Sequence, residues 1–401
     1  MTQPHRLAHG GRIDRSKLLS FQFDGRTYQG HPGDTLASAL LANGVRLVGR
    51  SFKYHRPRGI FTAGPEEPNA LVELRTGARR EPNSRATVVE LFDGLQSTSQ
   101  NRWPSLAFDL SAINGLFSRF LPAGFYYKTF MWPPSFWEKV YEPMIRRMAG
   151  LGHAAREPDP DAYEHTHAHC DVLVVGSGSA GLAAARTAGE TGARVMLLEQ
   201  DFEFGGGLLL DPRHDGWRKD TIAALQAMPE VRILPRTTVF GYYDHNVLGA
   251  VERVSDHLPV PPAHGVRQRY WVIRAKQVVL ATGAIERLIA FPDNDRPGVM
   301  LATAAETYVR RFGVVPGRNA VLFTNNDAAY ATAYALRDAG ASVQAIIDIR
   351  TSSLTADAAR GAGFTVWTGA EVIGVAGTQA LRGVQVRWRQ TGGHIRPGRL
   401  L

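Results

Sequence analysis

The feature that most restricts the fold of this chain is a short apolar run, Asp171 to Val175 (DVLVV), leading straight into GSGSAGLAAARTAGETG. The run reads as a buried strand and the segment after it as a helix that continues to Gly192. Gly176, Gly178 and Gly181 give G-x-G-x-x-G at the junction. The first glycine permits a tight turn, the second lets backbone approach a pyrophosphate, and the third allows close helix–strand packing. The helix N-terminus then presents unpaired N–H groups to the phosphate charge. A second apolar strand, ARVMLLE, ends in Glu199, eighteen residues after Gly181. A carboxylate there accepts hydrogen bonds from ribose hydroxyls and repels a 2′-phosphate, so NAD or FAD is favoured over NADP. Strand, glycines, helix, strand and acid stand in register, which predicts an α/β Rossmann-like module with a dinucleotide site.

Two further stretches accompany the motif: Gly205-Gly206-Gly207 just beyond the acid, and Val278 to Gly283 (VVLATG), an apolar strand breaking at Thr282-Gly283. Together they resemble the two-dinucleotide-binding-domain flavoprotein superfamily, in which a glycine pair and an ATG strand end close over the first nucleotide. A second strand–helix–strand unit begins at Ala320 (AVLFTNNDAAYATAYALRDAGASVQAIIDIR) and carries Asp348 near its last strand's end. Asn325, Asn326 and Asp327 are helix-capping types. Ala328 and Ala329 stand where close backbone approach needs glycine, so this unit reads as packing rather than as a second nucleotide site.

With 401 residues the chain predicts two to four domains. Its 44% hydrophobic and 21% charged content argues against disorder or a fibre. No apolar run of 18 or more residues occurs and the first twenty positions are basic and polar, so neither a membrane span nor a signal core is expected. The single cysteine, Cys170, allows no intrachain disulfide and no cysteine-ligated metal or cluster, which fits a reducing, cytoplasmic setting. Residues 1–60 hold ten Lys or Arg against three Asp, supplying +7 of the net +9. No nucleic-acid module accompanies that basicity, so a partner surface or a cofactor phosphate is the better reading and nucleic acid is not expected.

Leu18 to Tyr28 alternates and turns at Asp24-Gly25, predicting a β-hairpin. Asp34 is expected to cap the helix TLASALLANG, which Gly44 stops. Strand-like pieces follow at Ala70 to Leu74 and Thr87 to Leu91, completing a small α+β unit over 17–105. Residues 106–168 form a connector. Ten of the 37 aromatic residues lie between Phe117 and Tyr141, and prolines at 122, 133 and 134 prevent one long helix there. Packing on the next domain is the expected role of this strip, with a subunit interface as the alternative. The Pro-, Asp- and His-rich stretch 153–168 reads as an exposed linker. His165, His167 and His169 have no second ligand cluster, so no metal is expected. The Rossmann-type domain is assigned to 169–315 and a second, incomplete Rossmann-like unit to 316–401.

Three blocks carry a specific resemblance: GDTLASALLANG with GRSFKYHRPRGIFTAGPEEPNALV, then FLPAGFYYKTFMWPPSFWE, then HCDVLVVGSGSAGLAAARTAG. In this order they are similar to the α subunit of heterotetrameric sarcosine oxidase. The resemblance implies a domain of two-iron ferredoxin-like topology followed by a Rossmann module holding NAD. It further implies a folate-binding domain after residue 401, so that the chain, shorter than the family's and losing strand pattern at RQTGGHIRPGRLL, reads as truncated. It implies partners, the β, γ and δ subunits, with FAD and FMN in the complex mainly on β. The implied reaction is oxidation of sarcosine with O2 and water to glycine, hydrogen peroxide and formaldehyde, or methylenetetrahydrofolate when tetrahydrofolate is present. Gly176, Gly178, Ala180, Gly181, Glu199, Gln200, Gly206, Gly207 and Val239 are carried over as NAD contacts, beside Thr282 and Gly283. No catalytic residue is assigned. A related amine dehydrogenase or cyanide-synthase-like subunit, and a non-catalytic NAD-binding scaffold, are the alternatives. Chains of those related kinds can hold a two-iron cluster on a C-x₄-C-x₂-C loop with a later cysteine. Residues 17–105 contain no cysteine, and Ser51, His55 and Arg58 are read as occupying that loop. The expectation is therefore a ferredoxin-like fold without cluster, its basic loop free for contacts.

Overall fold

The hairpin forms as its turn residues demand. Strands β1 (Leu19–Phe23) and β2 (Arg26–Gly30) pair antiparallel around Asp24 and Gly25, both at positive φ. The computed structural model describes residues 3–121, 124, 130–262, 264–389 and 395–400. Helix α1 (Leu36–Ala42) buries all seven of its residues, and Gly44 at φ +80° follows it. Its N-cap is Thr35 rather than the expected Asp34: Thr35 and Ser38 form a reciprocal capping box. Asp34 lies underneath, fully buried, and takes the Arg6 guanidinium at 2.6 and 3.0 Å and the Ser38 hydroxyl at 2.6 Å. Buried this deeply, a carboxylate is retained because it is paired.

Short strands β3 (Gly49–Arg50) and β4 (Pro57–Arg58) precede β5 (Leu71–Leu74), β6 (Glu81–Arg85) and β7 (Gln96–Ser99), and a five-stranded sheet runs β2-β1-β7-β5-β6. The strand expected at Thr87 to Leu91 is not one. The carbonyls of Ala86 and Val89 instead accept the first-turn N–H groups of α1, Ala37 and Leu36, which have no intrahelical partner. The basic loop is not free. Arg50 is buried and donates to the Leu106 and His55 carbonyls, Arg56 pairs with Asp293 and Asp295, and Arg58 pairs with Asp295. His55 Nδ1 lies 2.7 Å from the buried Asp109 carboxylate.

In the aromatic strip Trp132 is 81% exposed and Phe117, Met131 and Phe136 are exposed as well, while Phe130, Trp137 and Tyr141 are half-buried. Phe125, Tyr126 and Tyr127 lie outside the described residues. Helix α2 (Glu142–Met148) follows. The expected linker is irregular up to residue 161 and strand from Ala162 onward. β8 (Ala162–Val175) runs 14 residues, and its His165, His167 and His169 share an exposed face because side chains alternate along a strand.

From β8 the chain enters helix α3 (Ser179–Glu190), β9 (Val195–Leu198), helix α4 (Asp215–Ala227), β10 (Val231–Leu234), β11 (Thr237–Tyr243), β12 (Val247–Arg253) and β13 (Val266–Leu280). The sheet order is β10-β9-β8-β13-β12-β11. Its first four strands are parallel, and β12 and β11 are antiparallel additions. One core holds Val174, Leu182, Ala185, Leu197 and Leu225; another holds Leu173, Met196, Leu248, Trp271 and Ile273. Consecutive β8 residues thus point to opposite faces, which is why DVLVV is apolar throughout.

Beyond come helix α5 (Ala302–Arg310), β14 (Asn319–Thr324), helix α6 (Ala328–Asp338), β15 (Ser342–Asp348), helix α7 (Leu354–Gly361) and β16 (Val366–Thr368), with β14-β15-β16 parallel. Strands β17 (Ala370–Gly377), β18 (Leu381–Arg389) and β19 (Ile395–Leu400) form an antiparallel sheet, so part of the tail expected to lose its strand pattern pairs with β18. At the start of α6 the capping group is Asn326, whose Oδ1 accepts from Ala328 N. Asp327 takes Arg350 and Ser353 instead.

Two units result, Met1–Pro158 with Glu286–Leu401, and Asp159–Ile285. This grouping differs from four consecutive segments because α5 closes onto the N-terminal core: Leu301, Ala304, Tyr308 and Phe312 pack with Phe21, Leu36 and Leu40. Among the described residues no helix is long and apolar enough to cross a membrane.

Candidate dinucleotide site

The glycine turn sits wholly within the unit Asp159–Ile285. Gly176 has φ +97°, and a Cβ there would come within 2.4 Å of the Ala281 carbonyl oxygen. A Cβ on Gly181 would fall 1.9 Å from the Gly176 carbonyl oxygen, so α3 can cross its strand this closely only without one. Gly178 differs in kind. It is the N-cap of α3, at φ −62° and ψ −175°, and an added Cβ would meet open space. No side chain caps this end of the 12-residue helix, leaving its first N–H groups to face that space with the positive end of the helix dipole. This cradle fits a pyrophosphate. Ala180 is exposed in the first turn beside it.

Glu199 is 7% exposed at the end of β9, and its carboxylate holds the turn together. Oε2 accepts the Ser177 N–H at 2.8 Å and the Ser177 hydroxyl at 2.6 Å, and Oε1 accepts the Asp201 N–H at 2.9 Å. A carboxylate has about four acceptor directions, so about one remains for a ribose hydroxyl. Ser177 Oγ in turn accepts the Gly205 N–H at 3.1 Å, linking the triple-glycine loop to the acid. Gly205 and Gly206 both have positive φ, and a Cβ on Gly206 would lie 3.3 Å from Gly178 Cα. Gly207 meets nothing within 4 Å. The end of β13 joins from the other side. Ala281 N donates to Val175 O at 2.8 Å, Thr282 Cα lies 3.5 Å from a Cβ built on Gly176, and Gly283 turns away at φ +72°.

The structure thus gathers Gly176, Gly178, Gly181, Glu199, Gly206 and Thr282 into one constellation. Gln200 is exposed just beyond Glu199, with its carbonyl accepting from Arg253. Val239 lies on β11, packed against the core that contains Leu248 and Trp271. Two contributors were not read from the sequence. Ser177 occupies the variable position of the motif, where only its contact with Glu199 reveals a role. Arg218, buried on α4, donates to the Phe204 carbonyl at 2.8 Å and crowds Gly205, fixing the loop from behind. Cys170 is buried within β8, and burial with the neighbouring Asp171 charge pushes its thiol up to about 11. In the strand–helix–strand segment β14-α6-β15, Asp348 holds the place corresponding to Glu199, but its carboxylate engages the Tyr330 hydroxyl at 2.8 Å and the Arg350 guanidinium.

Known proteins match this arrangement. Residues 170–343 match the pyridine nucleotide-disulphide oxidoreductase family, and residues 16–102 match the family described as 2Fe-2S iron-sulfur cluster binding domain. The sarcosine oxidase subunit alpha of Rhizobium meliloti (strain 1021) is 58% identical over 355 residues, covering 87% of this chain. Over most of its length the chain is thus similar to a part of the sarcosine oxidase α subunit. That of Corynebacterium sp. (strain P-1) is 41% identical over 382 residues and covers 92% of this chain. The chain spans about a third of these relatives' length, 36% and 34%. L-proline dehydrogenase from P. horikoshii shares the fold at TM-score 0.58 and 20% identity, over 99% of this chain and 60% of that one.

Proposed function

We propose that this chain is the NAD-binding part of the α subunit of a sarcosine oxidase complex. The observation that carries the reading is the 58% identity over 355 residues. The open cradle at Gly178 and the buried acid at Glu199 support the cofactor. In the complete complex, sarcosine, O2 and water give glycine, hydrogen peroxide and formaldehyde, with tetrahydrofolate capturing the one-carbon unit through the remainder of the α subunit. FAD and FMN, mainly on the β subunit, supply the redox chemistry. This chain's own residues bind and orient. The α3 N-terminus and the Gly206 loop hold the pyrophosphate, Glu199 takes a ribose hydroxyl, and none of the chain's side chains is assigned a proton or hydride transfer.

The partners are the β, γ and δ subunits, in a cytoplasmic setting, and the exposed Trp132 with its neighbours is the surface that meets them. Coexpression of the full-length α subunit with β, γ and δ tests the reading. Sarcosine-dependent peroxide should require all partners, and one NAD per α chain should be released on denaturation. A Trp132→Ala, Trp137→Ala variant should keep its NAD and lose copurifying β. Peroxide from the isolated 401-residue chain, or a complex inert towards sarcosine but active on another secondary amine, would refute the assignment.

A further inference from the structure

The donor set of the N-terminal domain does not fit a thiolate-held cluster, because residues 16–102 contain no cysteine although they match a two-iron domain. We propose that the loop Thr62–Ala70 is nevertheless the ligand loop of that domain, and that the Glu67 carboxylate occupies the place of the cluster. The plant-type ligand spacing is C-x₄-C-x₂-C. Ser51, His55 and Arg58 do not reproduce it, having three and two residues between them; Thr62, Glu67 and Ala70 do. All three are buried, at 1%, 1% and 0% exposure.

One group ties them together. Glu67 Oε2 accepts the Phe61 N–H at 3.0 Å, the Thr62 N–H at 2.6 Å and the Thr62 hydroxyl at 3.1 Å. Oε1 accepts the Asn69 N–H at 2.8 Å and the Ala70 N–H at 3.0 Å. Two pairs of successive backbone N–H groups converging on one anion make the kind of nest that binds phosphates and iron–sulfur clusters. A cluster in such a loop is an anion whose sulfurs receive hydrogen bonds, and the carboxylate offers negative charge to the same donors. A later residue closes the loop as the fourth ligand would: the buried Thr87 hydroxyl donates to the Gly64 carbonyl at 2.7 Å. Outside the nest, the Tyr308 hydroxyl donates to Thr62 O at 2.7 Å and Leu301 N to Phe61 O at 3.0 Å. The loop is therefore fixed without metal, and the domain carries no electrons.

The inference rests on the domain family and not on the sarcosine reaction, so either can fail alone. In the 401-residue chain, the combined substitutions Thr62→Cys, Glu67→Cys, Ala70→Cys and Thr87→Cys should allow anaerobic reconstitution with ferrous iron and sulfide to about two irons per chain, with a reduced-state EPR signal. Ser51→Cys, His55→Cys and Arg58→Cys with Thr87→Cys should give none. In the otherwise unchanged chain, Glu67→Gln turns an amide against N–H donors. It should lower the melting temperature by roughly 5 °C or more and speed hydrogen exchange at the amides of Phe61, Thr62, Asn69 and Ala70. That measurement decides if the fourfold variant does not fold. Iron in the wild-type domain, a cluster in the Ser51 set only, a folded fourfold variant without cluster, or unchanged exchange in Glu67→Gln each overturns the proposal.

Discussion

Replacing Gly178 by valine separates ligand binding from folding at the glycine turn. Its φ of −62° suits any L-residue, and the space where Cβ would grow is empty, so the turn itself accepts the substitution. The folding cost is the weaker N-cap, about 0.5–1 kcal/mol. The ligand meets a different situation, since the valine methyls fill the volume in front of the first N–H groups of α3. If two charge-assisted hydrogen bonds to a pyrophosphate are lost, each contributing ~1.5–3 kcal/mol, the loss is ~3–6 kcal/mol, or about 10²- to 10⁴-fold in Kd. Gly181→Ala provides the contrast. Its Cβ would sit 1.9 Å from a carbonyl oxygen, so the whole unit should lose stability, by ~3 kcal/mol or more, before binding can be measured. The assay is NAD released from the denatured, purified protein, quantified by mass spectrometry, alongside a thermal melt monitored by circular dichroism. Undiminished NAD in a folded Gly178→Val protein would refute the placement, and a Gly178→Val melt as poor as that of Gly181→Ala would refute the distinction between cradle and packing.

Glu199→Gln should leave the Ser177 and Asp201 donors short of acceptors, lowering stability by ~1–3 kcal/mol and weakening NAD retention together; denaturant melts with and without added NAD check both. Cys170, buried and with its thiol near 11, should react at pH 8 with a disulfide reagent about 100-fold more slowly than a free thiol of pKa 9.0, through scarcity of thiolate alone, and faster only on unfolding. For Asp348, burial pushes the carboxyl up, but hydrogen bonds from Arg350 and Tyr330 and the Arg350 charge outweigh it and hold the group below the ordinary aspartate range. Its contribution is then complete above that range and is lost as pH falls through the lower folded-state value, so melts from pH 6 down to pH 2 should show a steeper acid loss in wild type than in Asp348→Asn.

Much of the candidate dinucleotide site was legible because each glycine answers a local demand. A positive φ at Gly176, a carbonyl under Gly181 and open space before Gly178 all belong to one short segment, and a strand-terminal acid needs only a count of residues. The alternation of His165, His167 and His169 also carried the period of a strand, but its polar composition suggested a linker, since an exposed face leaves no hydrophobic signal. The rest depended on residues far apart in the chain. Asp34 stands at the start of a helix, yet Arg6 draws it into a buried ion pair and leaves the cap to Thr35. Arg50, Arg56 and Arg58 read as a free basic loop until Asp293 and Asp295 arrive from more than 230 positions away, and the Leu106 carbonyl from another segment. Glu67 looks in sequence like one more surface acid, and only the returning loop aims four backbone N–H groups at it. The sequence by itself determined the first hairpin, the glycine turn and the strand and helix that flank it, because backbone sterics and side-chain period act over a few neighbouring residues. Only the tertiary structure decided which charged groups are buried and with whom, because burial of a charge is tolerated solely where distant segments bring it a partner.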